Sequence, residues 1–387
     1  MPVVTINRKG EQRVQAGHPW VYRSDVVGIE HAAPGDIVQV VGPLSRPLGY
    51  AFFSDQSEIV IRMIAGPDED PSPGFWAARI AAAVQYRESL NLDATAWRVV
   101  HGEADRLPSL IVDRYADYLV VQALSQATDR ALPEITHALV EVLHPAGILA
   151  RNDPRVRLLE GLERRVEVLH GTVPPSIAVR EGAVEYEVDP WRGQKTGLFL
   201  DQRENREAAL RYARGRALDA FSYNGGFAMA IAPKCERVMA VDISTDAVAR
   251  IRANAERNGL RNVEAREMNV FDELRELERA GERFDTIVLD PPAFAKNKGA
   301  VRKALSGYKE INLRALKLLN TGGYLVTCSC SYNVSEATFL DVVSDAAADA
   351  GVQVTLVEKR AQGRDHPILL NVPETYYLKC LVLRRLA

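Results

Sequence analysis

Four stretches of the sequence decide the fold of the C-terminal half: RALDAFS (216–222), RVMAVDIS (237–244), FDTIVLDPP (284–292) and GYLVTCSCS (323–331). Each is apolar at nearly every position, and helical patterns separate them. Short apolar strands that alternate with helices are typical of a parallel sheet with helices on both faces. The pattern predicts a doubly wound, mostly parallel α/β sheet over residues 191–387, whose ligand binds at the carboxyl ends of the strands.

The N-terminal part of the chain has a different pattern. Residues 1–70 contain short strands with turns between them: DIVQVVG (36–42), PLGYAFFS (47–54) and EIVIRMI (58–64). Such a series favours a small β-barrel or sandwich. The segment GPDEDPSPG (66–74) is rich in Pro, Gly and acidic residues, which is typical of a linker.

Residues 75–190 combine helical and strand patterns. We predict two helices, at 75–90 and 130–144, a hairpin with strands at 110–115 and 118–124, and a strand at 147–151. This part of the chain is therefore expected to form a small α+β domain between the N-terminal barrel and the C-terminal sheet.

Composition excludes several classes of protein. Of the 387 residues, 47% are hydrophobic and 26% charged, as in globular proteins. No apolar run approaches the ~20 residues that span a bilayer, and the N-terminus lacks a secretory signal, so we expect no membrane partner. Four cysteines are too few for a disulfide scaffold, which favours a reduced, cytoplasmic protein.

Charge is unevenly distributed along the chain. The net charge is −3, but residues 1–190 carry 18 Lys and Arg against 26 Asp and Glu, whereas residues 191–387 carry 30 against 25. A basic cluster follows the third strand and comprises Lys296, Lys298, Arg302, Lys303 and Lys309. It is either a solvated face or a surface that contacts RNA.

A glycine-containing loop follows the first strand, in LDAFSYNGGFAMAIA (218–232). Adjacent glycines let the backbone approach a ligand, and the next strand ends in Asp242, which can accept both hydroxyls of a ribose. The spacing does not match the dinucleotide fingerprint, so S-adenosylmethionine is the more plausible cofactor than NAD. Ser244 follows that acid, and Asn269, Val270 and Phe271 are expected to meet the adenine.

The third strand ends in LDPPAF (289–294). Asp290 can accept a hydrogen bond from a nucleobase, and Phe294 can stack on a flat base. Pro291 and Pro292 stiffen the backbone between them. We expect Asp290, both prolines and Phe294 to contact the substrate, with Lys296 and Lys298 beyond them.

The fourth strand ends in TCSCS (327–331). Cys328 and Cys330 could be core residues, part of a metal site or a nucleophile; the other two cysteines show no second paired spacing, so a metal site is not expected. A thiolate has a specific use here, because carbon 5 of a pyrimidine becomes nucleophilic only after a thiolate adds to carbon 6. Asp290 is the candidate to stabilise the charge that develops at ring nitrogen 3.

Together these motifs resemble the bacterial cytosine-5 methyltransferases of large-subunit ribosomal RNA, which have a PUA domain, a middle α+β domain and a Rossmann-like class I methyltransferase domain. The similarity covers nearly the whole chain. Besides FSYNGGF, VDIS, DPPAF and SCS, it includes HPWVYRSDV (18–26), HGEADRLPSLIVDRY (101–115), Arg151-Asn152-Asp153, KTGLFLDQRENR (195–206) and GYKEINLRAL (307–316).

The resemblance implies a role for each matching residue. Cys330 matches the nucleophile and Asp290 the catalytic acid, whereas Cys328 has no required counterpart. Residues of the cofactor loop, the ribose acceptor and the upstream segment that closes over the methionine moiety also match: Phe221, Ser222, Tyr223, Gly225, Asp242, Lys195, Thr196, Phe199, Asp201 and Arg203. Asn269 stands where relatives often have Asp. The resemblance also suggests a homodimer.

Two alternatives remain open from the sequence. A related guanine N-methyltransferase branch shares the Asp-Pro-Pro-x-Phe motif and the upstream segment but needs no nucleophilic cysteine. A catalytically inactive, PUA-containing RNA-binding factor is the other. Wider RNA cytosine-5 methyltransferases commonly carry a second cysteine after the two prolines, where this chain has Ala293.

Overall fold

The computed structural model of the chain describes residues 1–69, 71, 74–295 and 298–386. They form two compact units. The first unit comprises residues 1–179, 188–200 and 364–375, and the second comprises 180–187, 201–363 and 376 onward. The three-domain division at residues 70–75 and 190–191 remains a prediction.

A six-stranded, curled sheet forms the N-terminal part of the first unit. Its elements are β1 (Val3–Ile6), α1 (Arg8–Gln15), β2 (Trp20–Tyr22), β3 (Val26–Glu30), β4 (Ile37–Val41), β5 (Pro47–Phe53) and β6 (Ile59–Ala65). The strand order is β2-β6-β5-β4-β1-β3, and only the β1–β4 pair is parallel. Alternate residues of β4, such as Val38 and Val40, are buried, so this sheet covers one hydrophobic core.

The rest of the first unit is a five-stranded sheet with helices against it. Its elements are α2 (Phe75–Ser89), β7 (Ala96–His101), β8 (Leu110–Tyr115), β9 (Tyr118–Ala123), α3 (Gln126–Arg130), α4 (Leu132–Leu143), β10 (Gly147–Asn152) and β11 (Arg165–Gly171), with strand order β11-β10-β9-β8-β7. The predicted hairpin is confirmed, since β8 pairs with β9 from Tyr115 and Tyr118 outward. The helix predicted at 130–144 is confirmed as α4 (Leu132–Leu143), and a separate short helix, α3, ends just before it at Arg130. Pro133 lies in the first turn of α4, where its missing N–H is tolerated.

A hairpin of β12 (Ile177–Glu181) and β13 (Val184–Val188) spans the division between the units. The second unit is then built on seven strands: β14 (Gly215–Ala220), β15 (Cys235–Asp242), β16 (Val263–Glu267), β17 (Phe284–Leu289), β18 (Leu319–Ser329), β19 (Val354–Arg360) and β20 (Lys379–Arg385). Its helices are α5 (Arg203–Tyr212), α6 (Gly226–Ile231), α7 (Thr245–Arg257), α8 (Val270–Arg279), α9 (Val301–Leu318) and α10 (Glu336–Ala350).

The seven strands confirm the predicted doubly wound, mostly parallel sheet. Their order is β16-β15-β14-β17-β18-β20-β19, and only β20 runs antiparallel to its neighbours. The second strand ends at Asp242 as predicted, whereas the stretches quoted for the other three run two or three residues past the strand ends at Ala220, Leu289 and Ser329. Asp290 and Cys330 therefore lie in loops just beyond the strand ends, where their side chains are not committed to the sheet.

Candidate active site

The chain order reverses between β14 and β17, which is the switch point where ligands bind in such sheets. Ala220 pairs with Leu289, the last residue of β17. The N–H of Asp290 donates to the Ala220 carbonyl at 3.3 Å. The loop after β14 and the DPPAF segment are consequently neighbours at one edge of the sheet.

The loop after β14 has an unusual backbone. Phe221, Tyr223 and Gly225 all have positive φ, at 64°, 53° and 84°. For the two aromatic residues this conformation carries a cost of order 1–3 kcal/mol each, and such strain is concentrated at functional sites. The Ser222 N–H donates to the Val241 carbonyl at 3.0 Å, which ties the loop to the end of β15.

Asp219, near the end of β14, is a site residue that the sequence analysis missed. Only 1% of it is exposed. One carboxylate oxygen accepts from the Ser222 hydroxyl at 2.5 Å and from the Ala228 N–H at 2.9 Å. Burial raises the pKa of this carboxyl to about 7, and the nearby carboxylates of Asp290 and Asp242 act in the same direction. The sequence could have identified Asp219, because it is an acidic residue in the otherwise apolar strand that contains LDAFS.

Asp242 holds two backbone segments together. Its carboxylate accepts from the N–H of Tyr223 and from the N–H of Ser244, both at 2.9 Å. Ser244 is the N-cap of α7, where its hydroxyl accepts from the Ala247 N–H. Asp242 therefore fixes the loop after β14, and its contact with a ribose remains a prediction.

The predicted adenine segment begins α8. Asn269 is its N-cap, with the side-chain oxygen accepting from the Phe271 N–H at 3.0 Å. Val270 is 4% exposed and packs in the hydrophobic core, whereas Phe271 is partly buried beside that core. The aromatic face of this segment thus belongs to Phe271, and the adenine contacts of Asn269 and Val270 remain predictions.

The DPPAF segment joins a cluster of aromatic rings. Phe294 lies 6.2 Å from Phe221, 6.0 Å from Phe271 and 4.8 Å from Tyr308, measured between ring centroids. Pro291 is buried and Pro292 is exposed. Phe294 is therefore part of the packing that supports the site, and its stacking on a base remains a prediction.

Asp290 is held by a residue that the sequence analysis did not single out. Gln202 Nε2 donates to Oδ1 of Asp290 at 2.8 Å, and Gln202 Oε1 accepts from Asn205 Nδ2 at 2.7 Å. Gln202 lies in the KTGLFLDQRENR segment (195–206), so the family resemblance already pointed to this part of the chain. This chain of amides orients the carboxylate at the end of β17.

The two cysteines of TCSCS occupy different environments. Cys330 lies just beyond β18, is partly exposed, and its Sγ is 3.7 Å from the Pro291 carbonyl oxygen. Cys328 is fully buried opposite Cys380 on β20. A hydrogen bond with Cys380, together with burial, raises the pKa of the Cys328 thiol well above its usual value. Only Cys330 is placed to expose a thiolate beside DPPAF.

The upstream segment is divided between the units. Lys195, Thr196 and Phe199 belong to the first unit, and Asp201 and Arg203 to the second. The buried Thr196 hydroxyl donates to Asp113 at 2.6 Å and lies 2.8 Å from the Tyr115 hydroxyl oxygen. These hydrogen bonds give Thr196 a structural role within the first unit. Its contact with a cofactor remains a prediction.

The other upstream residues also have contacts within their own units. The Lys195 ammonium lies 4.4 Å from the centre of the Phe199 ring. Asp201 is 2% exposed and accepts from the Tyr377 hydroxyl at 2.8 Å, and Arg203 is 7% exposed. Their predicted approach to the cofactor is likewise untested by these contacts.

The basic cluster is described only in part. Lys296 lies outside the described residues, as does the side chain of Lys298. Arg302 and Lys303 are exposed at the start of α9. Lys309 pairs with Asp349 at 2.8 Å, so its charge is already partly matched within the chain.

The donor set fits S-adenosylmethionine. The second carboxylate oxygen of Asp219 is buried and has no hydrogen-bond partner among the described residues, so a donor such as the ammonium of a methionine moiety would satisfy it. At Gly225 the φ of 84° disfavours any residue with a side chain, although an added Cβ would meet only the flexible end of Met229, at 2.9 Å. The backbone conformation of this loop, rather than side-chain packing, therefore favours glycine at position 225.

The described part of the chain offers neither a metal site nor a membrane-spanning helix. No group of three or more His, Cys, Asp or Glu side chains there could hold a metal ion. No helix there is long and apolar enough to cross a membrane.

Comparison with known proteins adds a family. Residues 4–65 match the PUA-like domain family, and residues 98–384 match the S-adenosylmethionine-dependent methyltransferase family. The ribosomal RNA large subunit methyltransferase I of Tolumonas auensis is 38% identical over 98% of both chains. The protein of that name from Vibrio cholerae is 36% identical over 99% of this chain and all of its own.

Solved structures share the fold. An S-adenosylmethionine-dependent methyltransferase from Streptococcus mutans has a TM-score of 0.84 at 20% identity, covering 99% of this chain and 100% of its own. A second methyltransferase, crystallised with S-adenosylhomocysteine, has a TM-score of 0.86 at 21% identity with the same coverage. The cofactor of this chain is S-adenosylmethionine, as the family match requires. The chain belongs to the S-adenosylmethionine-dependent methyltransferases and, among them, to the family of ribosomal RNA large subunit methyltransferase I.

Proposed function

We propose that this chain methylates carbon 5 of a cytosine in large-subunit ribosomal RNA, with Cys330 as the nucleophile. The observation that supports this is the position of Cys330, 3.7 Å from the Pro291 carbonyl oxygen and thus beside Asp290. The relatives named as large-subunit ribosomal RNA methyltransferases support the substrate class.

The chemistry assigns a task to each residue. The Cys330 thiolate adds to carbon 6 of the cytosine, and the ring electrons make carbon 5 nucleophilic. Asp290, oriented by Gln202, stabilises the charge at ring nitrogen 3. S-adenosylmethionine supplies an electrophilic methyl group. Loss of the carbon-5 proton to a base then expels the thiolate and restores the ring.

The choice of Cys330 over Cys328 follows from burial and protonation. Cys328 is 0% exposed, and its thiol is kept neutral by Cys380 and by burial. A neutral thiol that cannot reach solvent is neither a nucleophile nor accessible to a nucleobase. Cys330, by contrast, is partly exposed.

Trapping with 5-fluorocytosine RNA tests the proposal. In 5-fluorocytosine, carbon 5 carries fluorine instead of hydrogen, so a base has no proton to remove after methyl transfer. The adduct between protein and RNA should therefore persist on a denaturing gel when S-adenosylmethionine is present. We expect the adduct with the unaltered protein and with Cys235→Ala, a buried cysteine on β15, and none with Cys330→Ala.

Two outcomes would contradict the proposal. Methyl label on guanine without an adduct would assign the chain to guanine N-methylation. Absence of S-adenosylmethionine binding in calorimetry at near-millimolar concentration would favour an RNA-binding factor without activity.

A homodimer in the cytoplasm is part of the same proposal. The family resemblance supports the dimer, and the low number of cysteines, four in the chain, supports a reducing compartment. Light scattering of the purified protein should give twice the chain mass of 42.8 kDa, and a monomer across micromolar concentrations would contradict the dimer.

A further inference from the structure

Lys379 is a buried lysine next to the candidate nucleophile. It begins β20, pairs with Ser329 of β18, and is 2% exposed. Its ammonium donates to the carbonyl of Ser331 at 2.8 Å and to that of Tyr377 at 2.9 Å. Ser331 directly follows Cys330, so Lys379 is hydrogen-bonded to the residue next to the candidate nucleophile.

Within the described part of the chain, Lys379 forms no ion pair with a carboxylate. Its two hydrogen bonds to the Ser331 and Tyr377 carbonyls go to neutral groups. A buried cation without a counter-charge is unfavourable. The nearest acid of α10, Glu336, already accepts from Lys359 at 2.7 Å and from the Tyr376 hydroxyl at 2.6 Å.

Besides Glu336, Cys330 acts electrostatically on Lys379, and its neighbour Ser331 accepts the 2.8 Å hydrogen bond from the Lys379 ammonium. Burial lowers the pKa of Lys379 to about 8, and the charges of Cys330 and Glu336 oppose that decrease. Tyr308 of α9, whose hydroxyl lies 2.8 Å from the Ser331 Oγ, has a raised pKa, mainly from burial, and the charge of Cys330 acts in the same direction. A thiolate at Cys330 would supply the counter-charge that Lys379 lacks.

Ionisation of Cys330 also needs such a cation. As a thiol, Cys330 faces the Pro291 carbonyl oxygen, which can accept from S–H but repels a thiolate. Lysine beside a cysteine is one of the arrangements that lower a thiol pKa well below the usual value of about 8.5.

We infer that Lys379 is a positioning residue for the methyl transfer, which holds the Cys330 loop through the Ser331 carbonyl and stabilises the Cys330 thiolate with its ammonium. The inference rests on the proposed role of Cys330 as nucleophile. It concerns a property of the free protein, so it can be tested without RNA.

The first test needs no variant at Lys379. The rate of Cys330 alkylation by iodoacetamide is measured against pH on the full chain, with mass spectrometry of the Cys330 peptide and Cys330→Ser as the blank. We expect an apparent thiol pKa clearly below about 8.5. A value at or above that figure would overturn the inference, whatever the trapping experiment shows.

The second test compares Lys379→Met with Lys379→Arg. Methionine keeps the apolar stem but removes the charge, so alkylation at pH 7 should fall roughly tenfold and become equal to that of the unaltered protein near pH 10. Arginine should retain most of the rate at pH 7. An unchanged pH profile in Lys379→Met would contradict the inference.

Folding and function are separated by two controls. Circular dichroism and S-adenosylmethionine binding identify a variant that fails to fold, in which case the pH profile of the unaltered protein decides the question. If the unaltered protein has a low thiol pKa but gives no adduct with 5-fluorocytosine RNA, the proposed function fails while the role of Lys379 stands.

Discussion

Two buried aspartates, one in each unit, occupy opposite environments. Asp113 on β8 is 0% exposed and accepts from Arg98 at 2.8 and 2.9 Å, with Thr196 as a third donor. Asp219 on β14 is 1% exposed, and its donors within the described part of the chain are a serine hydroxyl and a backbone N–H. Burial alone therefore does not distinguish them; the presence of a counter-charge does.

The difference separates a structural acid from one suited to a ligand. The guanidinium of Arg98 matches both the charge and the geometry of Asp113. Both carboxylate oxygens are therefore engaged within the protein and are not available to a ligand. Asp219 keeps one oxygen without a partner among the described residues, and its pKa is raised to about 7. Perturbed acids in such positions are concentrated at functional sites.

The largest expected effect on stability comes from removing the charge of Asp113, which pairs with Arg98. Asp113→Asn leaves the Arg98 guanidinium largely buried without its counter-charge, and it should lower the free energy of unfolding by about 3–5 kcal/mol. Urea denaturation measures this loss. Asp117→Asn, at the exposed turn of the same hairpin, should change it by less than about 0.5 kcal/mol. A loss below about 1 kcal/mol in Asp113→Asn would mean that the pair is not structural.

The next effect concerns the unpaired site and depends on pH. The pKa of Asp219 is about 7 in the folded protein, above the roughly 3.9 of an unfolded chain, so the folded state keeps its proton longer as pH rises. Relative to Asp219→Asn, the unaltered protein should lose stability between about pH 4 and pH 7 and stay level above. The loss is at most about 4 kcal/mol.

Urea titrations across this pH range, without cofactor, measure that relative loss. Asp345→Asn, an exposed acid of α10, is the control and should show no comparable pH-dependent difference from the unaltered protein. A constant difference between the unaltered protein and Asp219→Asn would show that Asp219 ionises as an ordinary acid.

The smallest effect sharpens the comparison at Asp219. Ser222→Ala removes the hydroxyl donor at 2.5 Å and leaves the carboxylate with the Ala228 N–H alone. We expect a loss of about 1 kcal/mol above pH 7, with the pH transition of stability moving upward. Ser306→Ala, exposed on α9, provides the matched control. A transition that stays in place would show that the hydroxyl does not stabilise the ionised form.

Local patterns in the sequence predicted much of the second unit. The apolar strands identified β14, β15, β17 and β18, because parallel strands buried on both faces leave a continuous signal. The motifs at their ends then had to meet at one edge of the sheet. Three of the four strand ends were misplaced by two or three residues, since apolar residues such as Phe221 continue the pattern into the loop.

Other parts of the site left no local signal. Lys379 reaches Ser331 because β20 pairs antiparallel with β18, so two residues 48 positions apart become neighbours. The sequence pattern did not identify β20, and it gave no reason to connect a lysine there with the SCS motif. Gln202 similarly became a site residue through its contact with Asp290, 88 positions away.

The sequence by itself determined the fold class, the cofactor type and the residues that can do chemistry, because strand periodicity, glycine loops and thiol or carboxyl groups are local properties. Tertiary structure alone decided which of those groups have the right environment. It separated Cys330 from Cys328, two residues apart on one strand and its loop, by burying one thiol opposite Cys380 and leaving the other beside Pro291. Burial and counter-charge come from distant parts of the chain, and they set the protonation state on which reactivity depends.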